Sequence, residues 1–458
     1  MTYNCKEKAK VSRMKLTNTY TNQLEEFVPL VPGEVSIYVC GPTVYNYIHI
    51  GNARPPVLFD TLRRYFEAKG NKVRFVSNFT DVDDKIINSA RATNETESAI
   101  STRFIEAYLA DLASLNCKTD YIQPKVTDYI DSIIGYIESL IKGGYAYLVN
   151  GDVYFRVNSI AEYGRLSNRK LDDLLQGARV EVNPDKENPL DFTLWKRTEA
   201  GLNWDSPFSR GRPGWHTECV AMIDHLFGGM IDIHGGGADL VFPHHENEIA
   251  QSLACHNHPV AKYWLHNGRL QFEGEKMSKS LGNVVLVKDF PGNRMALRLF
   301  LLSTHYRAPI NYTEQSIEMY REEWDRLEKT MNALYRAIDL RGGFAVSRAI
   351  TDPEISARLL AFDEAMEADI NTANAITELQ ALLKFANVEI RRKGNLARLQ
   401  ELAEGLGYML EILGLKFSPN RLRADDIALI HQWEQLRKEK NYEAADRLRQ
   451  ELIRRGLA

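Results

Sequence analysis

Three parts of the chain, the second made of two separate segments, carry side chains whose types and spacing can do chemistry. The first is "IYVCGPTVYNYIHIGNARP" (37–55), in which Cys40 closes an apolar run and is followed at once by Gly41-Pro42. The same stretch ends in His49-Ile50-Gly51-Asn52, a glycine-containing turn just before an expected helix. Such a turn offers backbone N–H groups and a helix dipole to a phosphate. The second stretch, "GWHTECVAM" (214–222) with "PHHENEIA" (243–250), supplies Cys219, and places His244 and Glu248 four residues apart on one face of an expected helix. Thiolate, imidazole and carboxylate are all zinc-ligand types, so Cys40, Cys219, His244 and Glu248 can form a tetrahedral site. No Cys-x-x-Cys pair anchors such a site, and both cysteines read equally as small core residues. The third stretch, "EKMSKSLGN" (275–283), puts Lys276, Lys279 and two serines on a glycine-flanked loop. It can close over a polyphosphate and neutralise charge there, or remain a solvated basic loop.

The elements that must position these groups follow from periodicity. "VSIYVC" (35–40) and "KVRFVSNF" (72–79) read as strands, and 53–70 between them as a helix with prolines in its first turn and Gly70 as its stop. A β-α-β unit of this kind predicts a parallel sheet with a right-handed crossover. "YAYLVNGDVYFRV" (145–157) breaks that pattern with two β-rich runs joined by Asn150-Gly151, a hairpin signal. "GMIDIHGG" (229–236) reads as a further strand, followed by a helix from Pro243 through Leu253. From about Thr313 the chain is almost entirely helical. The expected architecture is therefore α/β. A Rossmann-like parallel-sheet catalytic domain spans 14–126 and 208–312, interrupted by a connective insertion at 127–207. All-α regions follow at 313–415 and 416–458, and residues 1–13 read as an extension ahead of Met14, a second candidate start.

Composition is that of an ordinary globular protein: 458 residues, 44% hydrophobic, 26% charged, with a net charge of −4. The charge gives no global sign of nucleic-acid binding, which would have to rest on local basic patches. Five scattered cysteines, including Cys5, Cys117 and Cys255, do not form a disulfide framework. With no apolar leader and no stretch long enough to span a bilayer, a cytoplasmic location is expected.

Taken together, "YVCGPTVYNYIHIGNAR", "NFTDVDDKII", "DFTLWK", "SPFSRGRPGWHTECVAM", "IHGGGADLVFPHHENEIAQS", "KMSKSLGN", "LLSTHYRAPINYT" and "KNYEAADRLRQEL" resemble the cysteinyl-tRNA synthetases, a class I aminoacyl-tRNA synthetase family. The resemblance runs over nearly the whole chain. It implies ATP-dependent activation of L-cysteine to cysteinyl-adenylate, then transfer to tRNA-Cys, by a monomer. It implies one zinc ion held by Cys40, Cys219, His244 and Glu248, with Thr80, Trp215 and His234 near the amino acid. His49, Gly51 and Asn52 would meet ATP, Lys276 and Lys279 its β- and γ-phosphates, and Mg²⁺ would accompany the nucleotide. The zinc has a chemical rationale: a pocket built on shape separates cysteine from serine only modestly, whereas zinc prefers a thiolate, and a thiol (pKa ~8.5) ionises far more readily than an alcohol.

Two features depart from that family's pattern. Its signature turn often ends in a second histidine where Asn52 stands, and relatives usually continue past "IRRGLA" with a short Gly- and Trp-containing segment, so a shortened anticodon-reading region is expected. The rival readings are a cysteine ligase that acts on an amino sugar, a silent tRNA-binding paralogue and a zinc hydrolase. The helical region after Thr313 favours tRNA over the amino sugar. "HHENE" lacks the His-Glu-x-x-His order of a metallohydrolase.

Overall fold

The computed structural model describes residues 14–169, 183–276, 284–344 and 350–457, with the Lys276 side chain outside that set. Lys279 and the rest of 277–283 therefore lie outside the described residues. At the N-terminus β1 (Lys15–Asn18) and β2 (Gln23–Glu26) pair antiparallel. The centre is a parallel sheet that includes β3 (Glu34–Val39), which is joined through α1 (Arg54–Ala68) to β4 (Lys72–Ser77). The run "VSIYV" forms a buried strand because both faces are covered, one by α1 and the other by later helices. Pro55 and Pro56 occupy the first turn of α1, where a missing N–H costs nothing.

Helices α2 (Asp84–Thr93), α3 (Glu97–Ser114) and α4 (Ile130–Lys142) lead to the expected hairpin, β5 (Ala146–Val149) and β6 (Asp152–Phe155). Its two turn residues, Asn150 and Gly151, have φ of 53° and 93°, as a tight two-residue turn requires. With β7 (Phe192–Arg197) and β8 (Gly211–Pro213) this hairpin builds a separate four-stranded antiparallel sheet. The last of its strands lies beyond the expected boundary at 207.

The chain then returns to the parallel sheet through α5 (Trp215–Phe227), β9 (Ile231–Gly237), α6 (Glu246–His256) and β10 (Ala261–Asn267), giving the order β10-β9-β3-β4. The helix expected from Pro243 begins at Glu246. A wider turn over Val241–His245 precedes it, with Phe242 in extended backbone. Next come β11 (Leu270–Phe272), β12 (Glu275–Lys276), α7 (Arg294–Leu302) and β13 (Ile310–Tyr312), the three strands forming a small sheet.

The C-terminal part is helical throughout: α8 (Glu314–Asp339), α9 (Pro353–Glu367), α10 (Thr372–Arg391) and α11 (Leu396–Leu413), then the paired α12 (Ala424–Lys438) and α13 (Tyr442–Arg454). Thr313 caps α8 in a reciprocal box with Ser316. The turn between α9 and α10 docks on the N-terminal strand, where Asp369 accepts from Thr17 N at 2.8 Å and Tyr306 OH at 3.0 Å. Among the described residues no helix is long and apolar enough to cross a membrane.

Candidate active site

A cleft of about 640 Å³ opens over the ends of β3, β9 and β10, where the strands of a parallel sheet point their carboxyl ends. Cys40 and Trp215 line it, and so do His49, Gly51 and Asn52.

Cys40 is the first residue after β3, and its N–H donates to the Gly235 carbonyl of β9 at 3.1 Å. Gly41 explains the turn that follows. A Cβ at that position would lie 1.6 Å from the Asn78 carbonyl oxygen, so only glycine lets the backbone pass. Asn78 fixes the turn further, accepting from Gly41 N at 2.9 Å. Cys219 arrives from α5, one turn past its start, and its Sγ stands 3.6 Å from the Cys40 sulfur. His244 comes from the turn before α6, and Glu248 from the first turn of that helix. Despite the wider turn, His244 Nε2 and Glu248 Oε1 meet at 2.9 Å.

Cys40 Sγ also lies 3.7 Å from Glu248 Oε1, so the two pairs adjoin, drawn from three remote stretches of chain. His245 joins them, its Nε2 3.2 Å from Cys40 Sγ. Donor atoms of Cys40, His244, His245 and Glu248 all fall within 4.8 Å of one another, a set in which His245 stands where Cys219 was expected, while Cys219 borders it through Cys40. His245 is the second member of the His-His dipeptide, next to the expected ligand His244.

The spacing of the sulfurs tests the fit to a metal. Two thiolates each about 2.3 Å from one tetrahedral ion stand roughly 3.8 Å apart, close to the separation of Cys40 and Cys219. The electrostatics agree. Of the two coupled thiols, Cys219 is held low, at about 6, by the hydrogen bond from Cys40, while burial pushes Cys40 up. Burial opposes the charge on Glu248, yet His234 and His244 beside it hold its carboxyl well below the usual range. Burial likewise opposes protonation of His244, and Glu248 overrides it, raising the imidazole to about 10. In the absence of an ion the cluster thus stores one proton between an imidazole and a carboxylate, and a divalent cation can displace it.

Around the cluster, second partners fix orientation, as ligands of a metal require. His234 is fully buried and bridges the Tyr38 carbonyl oxygen (Nδ1, 3.1 Å) and Glu248 Oε2 (Nε2, 2.6 Å). Trp215 stacks on His244 with ring centroids 4.4 Å apart and 41% of its surface exposed, so it forms part of the pocket wall. Thr80 is buried and its hydroxyl donates to Glu218 at 3.0 Å. Three further imidazoles complete the surround: the buried His245 and His266, and the half-buried His216. His245 Nδ1 meets His266 Nε2 at 2.7 Å, and His216 Nδ1 meets His244 Nδ1 at 3.2 Å.

At the other end of the cleft the turn 49–52 is closed on itself. Asn52 N donates to the His49 carbonyl at 2.8 Å, and Asn52 Oδ1 accepts from His49 N at 3.2 Å. The segment that follows the lysine loop pairs with this turn: Ile50 N donates to Val285 O at 2.9 Å, and Val287 N to Ile48 O at 3.1 Å. On the other side of the loop, β12 pairs with β11 through Lys276 and Gln271. The residues that follow 277–283 are thereby anchored on the signature turn, and those that precede it on β11.

Comparison with known proteins decides the family. The sequence model described as the class I (C) tRNA synthetase catalytic domain matches residues 26–322, and a DALR domain matches 361–418. A cysteine–tRNA ligase of Anoxybacillus flavithermus is 47% identical over 444 residues, covering 96% of both chains. Another, of Geobacillus thermodenitrificans, is 48% identical with the same coverage. The chain belongs to the class I cysteine–tRNA ligase family. Among solved structures, Mycobacterium tuberculosis methionyl-tRNA synthetase with methionyl-adenylate matches with a TM-score of 0.57 at 16% identity, covering 83% of this chain and 89% of that one. A leucyl-tRNA synthetase of Agrobacterium radiobacter K84 in a ternary complex matches at 0.60 and 12%, covering 85% and 84%. These distant likenesses show the fold alone.

Proposed function

We propose that this chain activates L-cysteine with ATP and transfers it to tRNA-Cys, with Cys40, Cys219, His244 and Glu248 holding one zinc ion. The observation that carries the reading is the pair of sulfurs 3.6 Å apart, beside His244 and Glu248, at one end of a cleft whose other end is the His49–Asn52 turn. A zinc ion held there would supply a soft Lewis acid that prefers a thiolate to a hydroxyl, and so would favour cysteine over serine.

The protein's own groups do the rest by position and charge. His234 holds Glu248 in place, Trp215 walls the pocket beside His244, and Thr80 braces its floor through Glu218. The amino acid's carboxylate then faces the α-phosphorus of ATP. Attack there forms the adenylate and releases pyrophosphate, a displacement governed by alignment and charge stabilisation rather than by a strong base. His49 and Asn52 contact the phosphates, and Gly51 lets the nucleotide approach the backbone closely. Lys276 and Lys279 neutralise charge on the β- and γ-phosphates and the leaving group, with Mg²⁺ accompanying the nucleotide. The C-terminal helices grip the tRNA through its phosphates.

Purified protein is expected to catalyse cysteine-dependent pyrophosphate–ATP exchange and to charge tRNA-Cys. Transfer of cysteine to an amino sugar, with no charging of tRNA, would move the assignment to the ligase of that type.

A further inference from the structure

The loop that joins Cys40 to His49 carries two tyrosines, Tyr45 and Tyr47, and both line the cleft between the metal corner and the signature turn. Neither has a role in the reading above. Tyr45 faces a cation: the Lys85 ammonium sits 5.6 Å from its ring centroid, and Lys85 lines the same cleft from the first turn of α2. Lys85 is exposed, and it belongs to none of the ion pairs found among the described residues. The two acidic neighbours are already committed. Asp83 caps α2 by accepting from Lys85 N at 2.8 Å, and Asp84 is held by Arg212 and, at 3.6 Å, by Lys196. Arg212 and Lys196 belong to the separate antiparallel sheet. The tyrosine–lysine pair therefore stands where the cleft mouth meets that sheet, with two further cations behind it.

An aromatic ring and an unpaired ammonium side by side at an open cleft suit a single-stranded nucleotide. The ring stacks on a base of any identity, and the ammonium attracts the adjoining phosphate. Position narrows the ligand. In the proposed reaction the acyl carbon lies between the cysteine corner and the phosphate turn, and Tyr45 comes from the chain that connects those two points. The second substrate, a ribose hydroxyl at the end of a polynucleotide, has to enter beside it.

We propose that Tyr45 and Lys85 form the receiving site for the unpaired 3′ end of the tRNA, the ring stacking on a terminal base and the ammonium meeting a backbone phosphate. This rests on the tRNA reading above, and the two can fail separately. The site acts in transfer and has no part in adenylate formation.

The test uses the full chain with a tRNA-Cys transcript, comparing pyrophosphate exchange without tRNA against single-turnover transfer from preformed adenylate. For Tyr45→Ala and Lys85→Ala, exchange is expected to stay within about two-fold of the wild type, while the apparent affinity in transfer weakens about ten-fold. Lys85→Ala should also lower the salt dependence of transfer by about one phosphate contact. Tyr45→Phe and Lys85→Arg, which keep the ring and the charge, should restore most of the loss. Exchange falling as much as transfer would mean that the pair serves the nucleotide triphosphate, and would overturn the assignment; so would transfer unchanged in both alanine variants. A wild-type protein with no cysteine-dependent exchange would instead refute the reading on which the inference stands.

Discussion

Cys40 and Cys219 are 179 residues apart in sequence, yet their sulfurs lie 3.6 Å apart. No short-range signal places them together. The contact is made by the parallel sheet, which sets the end of β3 beside the start of α5, and by Gly41, which lets the chain turn under Asn78. The separation matches two sulfur ligands of one tetrahedral ion.

The first expectation follows directly. Cys219→Ala removes one sulfur and should abolish tight metal binding, together with cysteine-dependent exchange. Elemental analysis of the purified variant and an exchange assay measure the two losses. A variant that retained wild-type selectivity for cysteine over serine would show that the metal is not the filter.

Much of this corner was legible before the fold. Cys40, Cys219, His244 and Glu248 stood out because their residue types are scarce and chemically matched, and the resemblance to a known family named them as a set. His245 was passed over in favour of its neighbour His244, and His216 and His266 did not stand out. An isolated histidine carries no periodic signal, and the partners of these two are distant in sequence. The helix expected from Pro243 opens with a turn wider than an α-turn, Val241–His245, which runs directly into α6, and hydrophobic periodicity does not distinguish the two.

Those histidines set a pH dependence. Burial above all keeps His216 and His266 neutral, both at about 3, whereas an unfolded histidine titrates near ~6.5. Between those values the unfolded chain binds more protons, so the stabilising contribution is complete above ~6.5 and is lost as pH falls. His244 has the opposite sign: raised to about 10, it contributes fully below ~6.5 and loses that contribution as pH rises toward 10. Metal-free protein should therefore be most stable near neutrality. Lowering the pH from 6.5 to 5 should cost ~2 kcal/mol for each of His216 and His266, and burial of His245, which also holds its imidazole well below the usual value, acts in the same direction. Urea unfolding at pH 7 and pH 5 reads the difference, and His266→Asn should reduce it. An unchanged pH slope in that variant would count against the assignment.

A second buried cluster, invisible in the sequence, joins the catalytic sheet to the C-terminal helices. Arg298 of α7 is fully buried and donates to Asp60 Oδ2 of α1 at 2.6 Å, Leu115 O at 2.9 Å and Leu413 O at the end of α11 at 2.7 Å. Arg64 shares Asp60 at 2.8 Å, so the carboxylate keeps one partner if Arg298 is lost. Arg298→Met should still destabilise the protein by ~3 kcal/mol, because it leaves buried carbonyls unpaired and a buried charge half-compensated. Thermal or urea unfolding checks this. The exposed Arg326, 3.9 Å from Glu322, serves as control, and Arg326→Met should shift stability by less than ~1 kcal/mol. Equal effects would mean that the buried junction contributes no more than a surface pair.

Lys279 supplies the sharpest kinetic expectation. Its loop leaves the small sheet at Lys276 and returns at Val285, which accepts from Ile50 in the signature turn. In the reaction proposed above, Lys279 meets the triphosphate, and cysteine is held at the far end of the cleft. Its charge matters most as the pyrophosphate departs, when negative charge on the leaving group is greatest. Removing it should therefore raise the barrier while leaving ground-state cysteine binding almost untouched. Lys279→Ala is expected to slow adenylate formation ~100-fold or more in single-turnover measurements, with cysteine affinity within about two-fold. Equal losses in rate and in cysteine affinity would place the lysine at the amino-acid pocket and refute the role given to it here.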